Sequence, residues 1–135
     1  MKPTLQAGLR HKAKFEVTRD RTIDFMGEKA RVYATPMLVR DVEVACRELL
    51  LAHLDAGEDS VGTRIELDHL AATPMGMQVE LDIELAEVKG RAVTFKVEGR
   101  DGVDTICPAT HQRFIVDVAQ TEKRLAAKAA KAGLA

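Results

Sequence analysis

The chain has 135 residues, 46% of them hydrophobic and 30% charged, so its length and composition fit one globular domain spanning residues 1–135. With a net charge of −1, bulk electrostatics favour neither nucleic acid nor a membrane surface as a partner, and no apolar run is long enough for a membrane span or a signal peptide. The two cysteines, Cys46 and Cys107, are too few for a disulfide scaffold and suit a reducing cytoplasm, where we expect the protein to act.

Residues 11–34 predict a short strand followed by an irregular segment. Within residues 11–18, Phe15 and Val17 lie on one face of an alternating pattern, which is typical of a strand. Residues 19–29 are mostly polar and indicate a loop or a short helical turn that could act as a lid. Residues 31–34 are a candidate for a second, brief strand.

One long helix is predicted over residues 36–54. Thr35 and Pro36 form a start signal, because threonine can cap a helix and proline is favoured at its first position. Gly57 follows as the expected C-terminal cap residue. Apolar spacings of three and four residues predict a buried stripe formed by Leu38, Val42, Ala45, Cys46, Leu49 and His53.

The rest of the chain changes to period-two alternation, which predicts strands over residues 61–69, 77–88, 92–98 and 105–118. Pro108 interrupts the last strand and implies an edge position or a bulge. The inward-facing set of the two middle strands comprises Val79, Leu81, Ile83, Leu85, Val93, Phe95 and Val97.

This order predicts an α+β fold in which an antiparallel sheet wraps around one long central helix. The helix has a continuous apolar stripe, and one face of the sheet is the only large apolar surface that could cover it. We expect the core to span about residues 11–118 and residues 119–135 to form a helical tail. An exposed sheet edge favours pairing with a second copy, so we expect a symmetric homodimer.

Three polar residues around the predicted helix could carry chemistry: Thr35, Glu43 and His69. Glu43 borders the apolar stripe, where a partly desolvated carboxylate suits acid–base work; the alternative is a surface ion pair with Arg47. Thr35 is either a plain helix cap or a hydroxyl beside free N–H groups that could stabilise an oxyanion. His69 ends its predicted strand and continues the inward-facing set, either as a proton carrier or as a hydrogen-bonded core histidine.

The sequence resembles the fluoroacetyl-CoA thioesterase family of the hot-dog-fold thioesterases. The similarity runs from about Phe15 to Val118, and its most specific part is the ungapped block from Thr35 to Gly76. The matching segments are Val32-Tyr33-Ala34-Thr35, Glu43-Val44-Ala45-Cys46, Gly57-Glu58-Asp59-Ser60-Val61-Gly62-Thr63, His69-Leu70-Ala71-Ala72-Thr73-Pro74-Met75-Gly76, Asp101-Gly102-Val103-Asp104 and Thr110-His111.

The resemblance implies that Thr35, Glu43 and His69 act together as catalytic residues on a short-chain acyl-CoA. It also implies that Gly62 approaches the acyl group. The segment between Ile23 and Tyr33 is shorter than in the fluoroacetyl-CoA enzyme. It lacks that enzyme's cluster of lid phenylalanines and keeps only Phe25 and Met26, so the resemblance implies Phe25 as a substrate contact. Pro36 stands where that enzyme has glycine, which stiffens the helix start and removes one N–H.

The implied reaction is hydrolysis of the thioester to a carboxylic acid and free CoA by a homodimer, with no metal, no cofactor beyond the CoA thioester substrate, and no nucleic-acid or membrane partner. Two other functions stay open on the same fold. A non-catalytic acyl-CoA sensor would bind without turnover. A hot-dog hydratase or dehydratase needs an acid–base pair but no nucleophile, so loss of the Thr35 hydroxyl would be nearly silent.

Overall fold

In a computed structural model, which describes residues 1–134, one curled antiparallel sheet surrounds a long helix. The sheet order is β1-β3-β4-β5-β2, and two 3-10 turns cross the lid segment at Arg19–Arg21 and Glu28–Ala30. The strands and helices are β1 Arg10–Glu16, α1 Thr35–Leu51, β2 Glu58–Leu67, β3 Gln78–Lys89, β4 Ala92–Arg100, β5 Thr105–Asp117 and α2 Val118–Lys131.

The apolar stripe of α1 is buried against the inner face of the sheet, which confirms the predicted architecture. Each strand of the central pair alternates between core and solvent, so one face is apolar and the other carries charge. Buried side chains of α1 and of this inner face include Leu38, Val42, Cys46, Leu49, Val79, Leu81, Ile83, Leu85, Val93, Phe95 and Val97.

Both ends of α1 differ from the prediction. The helix begins at Thr35 itself, Ala34 is the N-cap residue, and no side chain caps the N-terminus. The Thr35 hydroxyl is instead engaged by His69, so the prediction of a threonine cap is wrong. The helix ends at Leu51, because tertiary contacts turn the chain there, and Gly57 uses its positive φ of 83° in the turn before β2 rather than as the cap.

Two strand predictions are also corrected. Residues 31–34 form isolated bridges rather than a strand. Pro108 is not at an edge, because β5 lies between β4 and β2. Its carbonyl accepts a hydrogen bond from the N–H of Asp68 (3.2 Å), so its nitrogen faces the same side, where β2 has already ended at Leu67. The missing N–H therefore breaks no ladder. The predicted alternative of a bulge is met close by, because Gly99 pairs with Cys107 and Arg100 with Thr105, which leaves Ile106 of β5 as the extra residue.

Strand β2 leaves one edge of the sheet without a neighbour, since it pairs with β5 alone. Large apolar side chains are exposed on β2 and on α1, namely Val61, Val44 and Leu51. At the other end of the chain, α2 buries none of its residues. None of the helices in residues 1–134 has the length and apolar character needed to cross a membrane.

Candidate active site

The first turn of α1 and the segment between β2 and β3 bring Thr35 and His69 together. The Thr35 hydroxyl lies 2.8 Å from Nδ1 of His69. His69 follows the end of β2, and its segment is anchored to β5 by the N–H of Leu70, which donates to the carbonyl of Ile106 (2.8 Å). A hydroxyl and an imidazole from distant parts of the chain thus form a hydrogen-bonded pair.

Thr35 and His69 line a cavity of about 500 Å³, and part of its wall comes from the lid segment, residues 19–29. Phe25, 79% exposed, stands at its rim, and Pro36 forms part of its wall. A wider groove of about 630 Å³ crosses the outer face of the sheet and contains neither Thr35 nor His69. The cavity is lined by Ile23, Phe25, Val32, Tyr33, Ala34, Thr35, Pro36, His69, Leu70, Ala71 and Ala72.

The surroundings of the His69 imidazole favour its neutral form. Burial lowers the pKa of His69 below its ordinary value, because the charged ring loses hydration. Its Nε2 is enclosed and has no hydrogen-bond partner among residues 1–134, so a proton added to the ring would leave a buried cation poorly compensated. A neutral ring with Nδ1 against a hydroxyl suits His69 to accept a proton.

The start of α1 also offers a backbone donor. Pro36 has no N–H, and the N–H groups of Met37 and Leu38 both donate to the carbonyl of Ala34 (3.0 Å each). Within the described chain, the N–H of Thr35 is therefore the one left without a backbone acceptor in this turn. It lies at the positive end of the helix dipole, beside the Thr35 hydroxyl.

Glu43 is not part of this pair. It lies eight residues along α1 from Thr35, which is about 12 Å along the helix axis at 1.5 Å per residue. Its carboxylate instead covers Gly62 of β2, where a Cβ atom would overlap Oε1 of Glu43. The surface ion pair with Arg47 does not form either, because Arg47 binds Asp59 through two hydrogen bonds of 2.9 and 2.8 Å.

Glu43 and Gly62 belong to a second polar cluster around the buried Arg113. The Arg113 guanidinium donates to Oγ of Ser60 (2.7 Å) and to its carbonyl (2.8 Å), and Nη1 lies 3.2 Å from Nε2 of His111. Burial lowers the pKa of Arg113 and that of His111. The charge of Glu43 opposes this effect of burial on Arg113, because the two side chains meet around Gly62. The Glu43 carboxylate therefore lies beside the buried guanidinium of Arg113.

Comparison with known proteins places this chain in a family. The family described as fluoroacetyl-CoA-specific thioesterase matches residues 17–119. The fluoroacetyl-CoA thioesterase of Streptantibioticus cattleyicolor is 35% identical over 123 residues, which cover 86% of this chain and 88% of that protein. The chain belongs to the fluoroacetyl-CoA-specific thioesterase family.

Solved structures agree with this membership. A crystal structure of a variant fluoroacetyl-CoA-specific thioesterase, in complex with fluoroacetate and CoA, has a TM-score of 0.80 and 33% identity, covering 87% of this chain and 99% of that one. A hot-dog-like protein from Thermanaerovibrio acidaminovorans has a TM-score of 0.83 at 21% identity, covering 94% and 93%. The latter supports the hot-dog fold alone.

Within this member of the thioesterase family, sequence reasoning missed Arg113. It named His111 only as part of a segment that matches the family. The signal was present, because period-two alternation places both residues in the same inward set as Ala109 and Ile115, all of them buried. A histidine and an arginine at core positions of one strand indicate a buried polar site.

Proposed function

We propose that this protein is an acyl-CoA thioesterase that hydrolyses a short-chain acyl-CoA to the free acid and CoA. The observation that carries the proposal is the 2.8 Å contact between Thr35 and His69 at the wall of a mostly apolar cavity. Such a cavity can bury an acyl group, while the pair faces its thioester carbonyl. The solved relative that holds fluoroacetate and CoA supports a small acyl group and a CoA leaving group.

In the proposed reaction, neutral His69 accepts a proton through Nδ1 as oxygen attacks the thioester carbonyl. The attacking oxygen belongs to Thr35 or to a water molecule that Thr35 holds. Negative charge on the carbonyl oxygen is stabilised by the N–H of Thr35 at the helix start. The C–S bond then breaks and His69 returns the proton to the thiolate sulfur. When water attacks, this step releases the free acid directly. When Thr35 attacks, water then hydrolyses the acyl-Thr35 ester, and His69 takes the proton of that water and returns it to the threonine oxygen, so either route consumes one water. This sequence uses side chains and water, so we propose that it needs no metal or cofactor.

We propose that Glu43 joins this site across a homodimer. In one protomer the Glu43–Arg113 cluster lies well apart from Thr35, yet it lies near the free edge of β2. Exposed Val44 and Leu51 on α1 and Val61 on β2 provide apolar surface for a second copy. Twofold pairing of the β2 edges places the two α1 helices side by side, so a carboxylate of one copy faces the Thr35–His69 pair of the other.

Mixed dimers test this arrangement. We expect T35A and E43A homodimers to be inactive, whereas a T35A/E43A heterodimer regains up to about half of the parent activity, because one of its two sites then has an intact Thr35 and an intact Glu43. The measurement is thiol release by tagged, co-purified heterodimers. A heterodimer as inactive as both parents would place all three groups within one protomer, and a monomer in sedimentation would refute the dimer.

The function itself is tested by removing the Thr35 hydroxyl. Parent protein should release free thiol from short acyl-CoAs, and T35V, which keeps the shape of the side chain, should lower kcat roughly a hundredfold or more. T35S, which keeps a hydroxyl, should retain much more activity. Thiol release is followed colorimetrically over a panel from acetyl-CoA to halogenated acetyl-CoAs.

The remaining functions predict other results. A hydratase would tolerate T35V and release no thiol, and a sensor would bind acyl-CoA without turnover. If the parent releases thiol from none of these substrates, the thioesterase proposal fails. We place the enzyme in the cytoplasm, since its two buried thiols, with pKa values raised by burial to about 12 for Cys46 and about 11 for Cys107, suit a reducing compartment.

A further inference from the structure

A carboxylate inside α1 stands outside the proposed reaction. Asp41 is 6% exposed, on a helix whose other buried residues are apolar. An ionised carboxylate in a protein core is strongly destabilising unless other groups compensate its charge. Asp41 therefore needs partners, and its partners come from both sides of the candidate active site.

The first partner is Tyr33, which lies under His69. The Tyr33 hydroxyl donates to Oδ2 of Asp41 at 2.5 Å, and burial, followed by this bond, raises the pKa of Tyr33, so the phenol remains a donor. The Tyr33 ring meets the His69 ring edge to face, with centroids 6.1 Å apart. The N–H of Tyr33 also donates to the carbonyl of Thr73, in the segment that carries His69 (2.8 Å).

The second partner is Arg21, which lies under the start of α1. Its Nε donates to Oδ2 of Asp41 at 3.0 Å, and its guanidinium covers the ring of Phe15, with 4.9 Å between Cζ and the ring centroid. The carbonyl of Arg21 accepts the N–H of Ala34 (2.8 Å), the residue directly before Thr35. Asp41 is thus linked through Arg21 to the backbone beside Thr35 and through Tyr33 to the imidazole of His69.

We propose that Asp41 is a positioning residue, which aligns Thr35 and His69 by holding Arg21 and Tyr33 beneath them. Asp41 itself does not reach the cavity, so it acts only through these two partners. Arg21 lies in the lid segment directly before the cavity wall formed by Ile23 and Phe25, so the same carboxylate fixes the base of that wall. The expected loss of kcat rests on the proposed function, whereas the expected change in the alignment of Thr35 and His69 does not.

Two variants separate positioning from simple stability. Y33F keeps the ring and removes the donor to Asp41, and D41N keeps the shape and removes the charge that holds Arg21. We expect kcat to fall roughly tenfold in Y33F and up to about a hundredfold in D41N, with KM changed less than about threefold, since sub-ångström misalignment affects the chemical step more than binding. L54A is the control for stability: Leu54 is buried past the far end of α1, so this variant should unfold earlier and keep the parent kcat.

A second readout needs no turnover. Titration of the His69 ring by NMR should show its pKa moving up towards the ordinary value in Y33F and D41N, because a loosened ring gains hydration, and staying at the parent value in L54A. Parent-like kcat and an unchanged His69 titration in folded D41N would overturn the positioning role, as would equal losses of kcat in L54A. If the parent hydrolyses no thioester, the proposed function fails, and the titration alone decides the role of Asp41.

Discussion

Gly62 shows how one missing side chain can shape a polar site. The strand β2 passes directly under Glu43, and a Cβ at residue 62 would also lie 3.3 Å from Cε1 of His111. The backbone there is extended, so glycine is required by the close approach of Glu43 and not by its own φ angle. The carboxylate can occupy this position only because the strand presents bare backbone to it.

We therefore expect G62A to displace the Glu43 carboxylate. The variant should lose most of its thioesterase activity, whereas its free energy of unfolding should fall by only about 1 kcal/mol, because the overlapping Oε1 is the end of a flexible side chain that can move aside. Chemical denaturation and thiol release are the measurements. In the E43A background, G62A should lower the free energy of unfolding much less, because the overlapping atom of Glu43 is gone. An equal loss of stability in both backgrounds would show that Glu43 is not the obstacle.

At this scale the sequence predicts residue types better than their partners. Thr35 and His69 were expected to act together, and the structure joins them directly. Glu43 lies beside Arg113 instead of joining them. This contact depends on the curl of the sheet, which residue spacing along the chain does not encode. Asp41 was missed because a single carboxylate beside an apolar stripe is typical of a solvated helix flank, and only its contacts with Tyr33 and Arg21 make burial possible.

The segment between β2 and β3 is the element that positions His69 without regular secondary structure. Its anchor is a buried side-chain pair: the Thr73 hydroxyl donates to Oδ2 of Asp101 at 2.8 Å. Burial alone would raise the pKa of Asp101, but hydrogen bonds from the N–H of Asp104, from Thr73 and from the N–H of Val103 lower it. The turn between β4 and β5 thus holds the segment through one ionised carboxylate.

Loss of this anchor should loosen the segment. We expect T73V to reduce the free energy of unfolding by about 1–3 kcal/mol, because a buried carboxylate loses a hydrogen-bond donor, and to lower kcat as well. Hydrogen exchange across residues 68–76 should accelerate. T94V, on the outer face of β4, is the matched control and should change neither quantity, and unchanged exchange in T73V would show that the segment is held by its backbone alone.

Elements with a strong repeat were predicted well, and their ends less so. The alternation over β3 and β4 fixed which side chains are buried, because period two leaves one face for the core. The C-terminus of α1 was placed three residues too late, since His53 and Leu54 continue the helical spacing while the chain already turns through the bond from the N–H of His53 to the carbonyl of Leu50. A tertiary contact fixes this end, because the N–H of Lys2 donates to the carbonyl of His53 (2.9 Å), and spacing along the chain does not encode it.

For the molecule as a whole, the buried His111 and the half-buried His69 link folding to pH. Burial lowers the pKa of both His69 and His111 below the ordinary value of 6.5, so the unfolded chain binds more protons than the folded one as the pH falls through that value. Stability is therefore greatest above about pH 6.5 and declines towards the folded-state pKa values. Paired carboxylates such as Glu28, whose pKa is lowered from 4.5 to about 2, stabilise the fold above that ordinary value, and this contribution is lost only as the pH falls towards about 2.

We expect the unfolding midpoint to fall as the pH is lowered from about 7 to about 5. The fall should be shallower in H69N, which removes one of the two titrating rings. Calorimetric or spectroscopic melts at several pH values measure it. A midpoint that is flat over this range, or a fall that H69N leaves unaltered, would mean that these imidazoles do not govern the acid sensitivity of the fold.

The free edge of β2 has a consequence for how such an enzyme behaves at low concentration. If the carboxylate is contributed by a neighbour, each isolated chain contains two incomplete halves and no working centre. Specific activity would then decline on dilution and recover on reconcentration, following mass action rather than denaturation. The cell could adjust the rate of thioester cleavage simply through how much of the chain it makes.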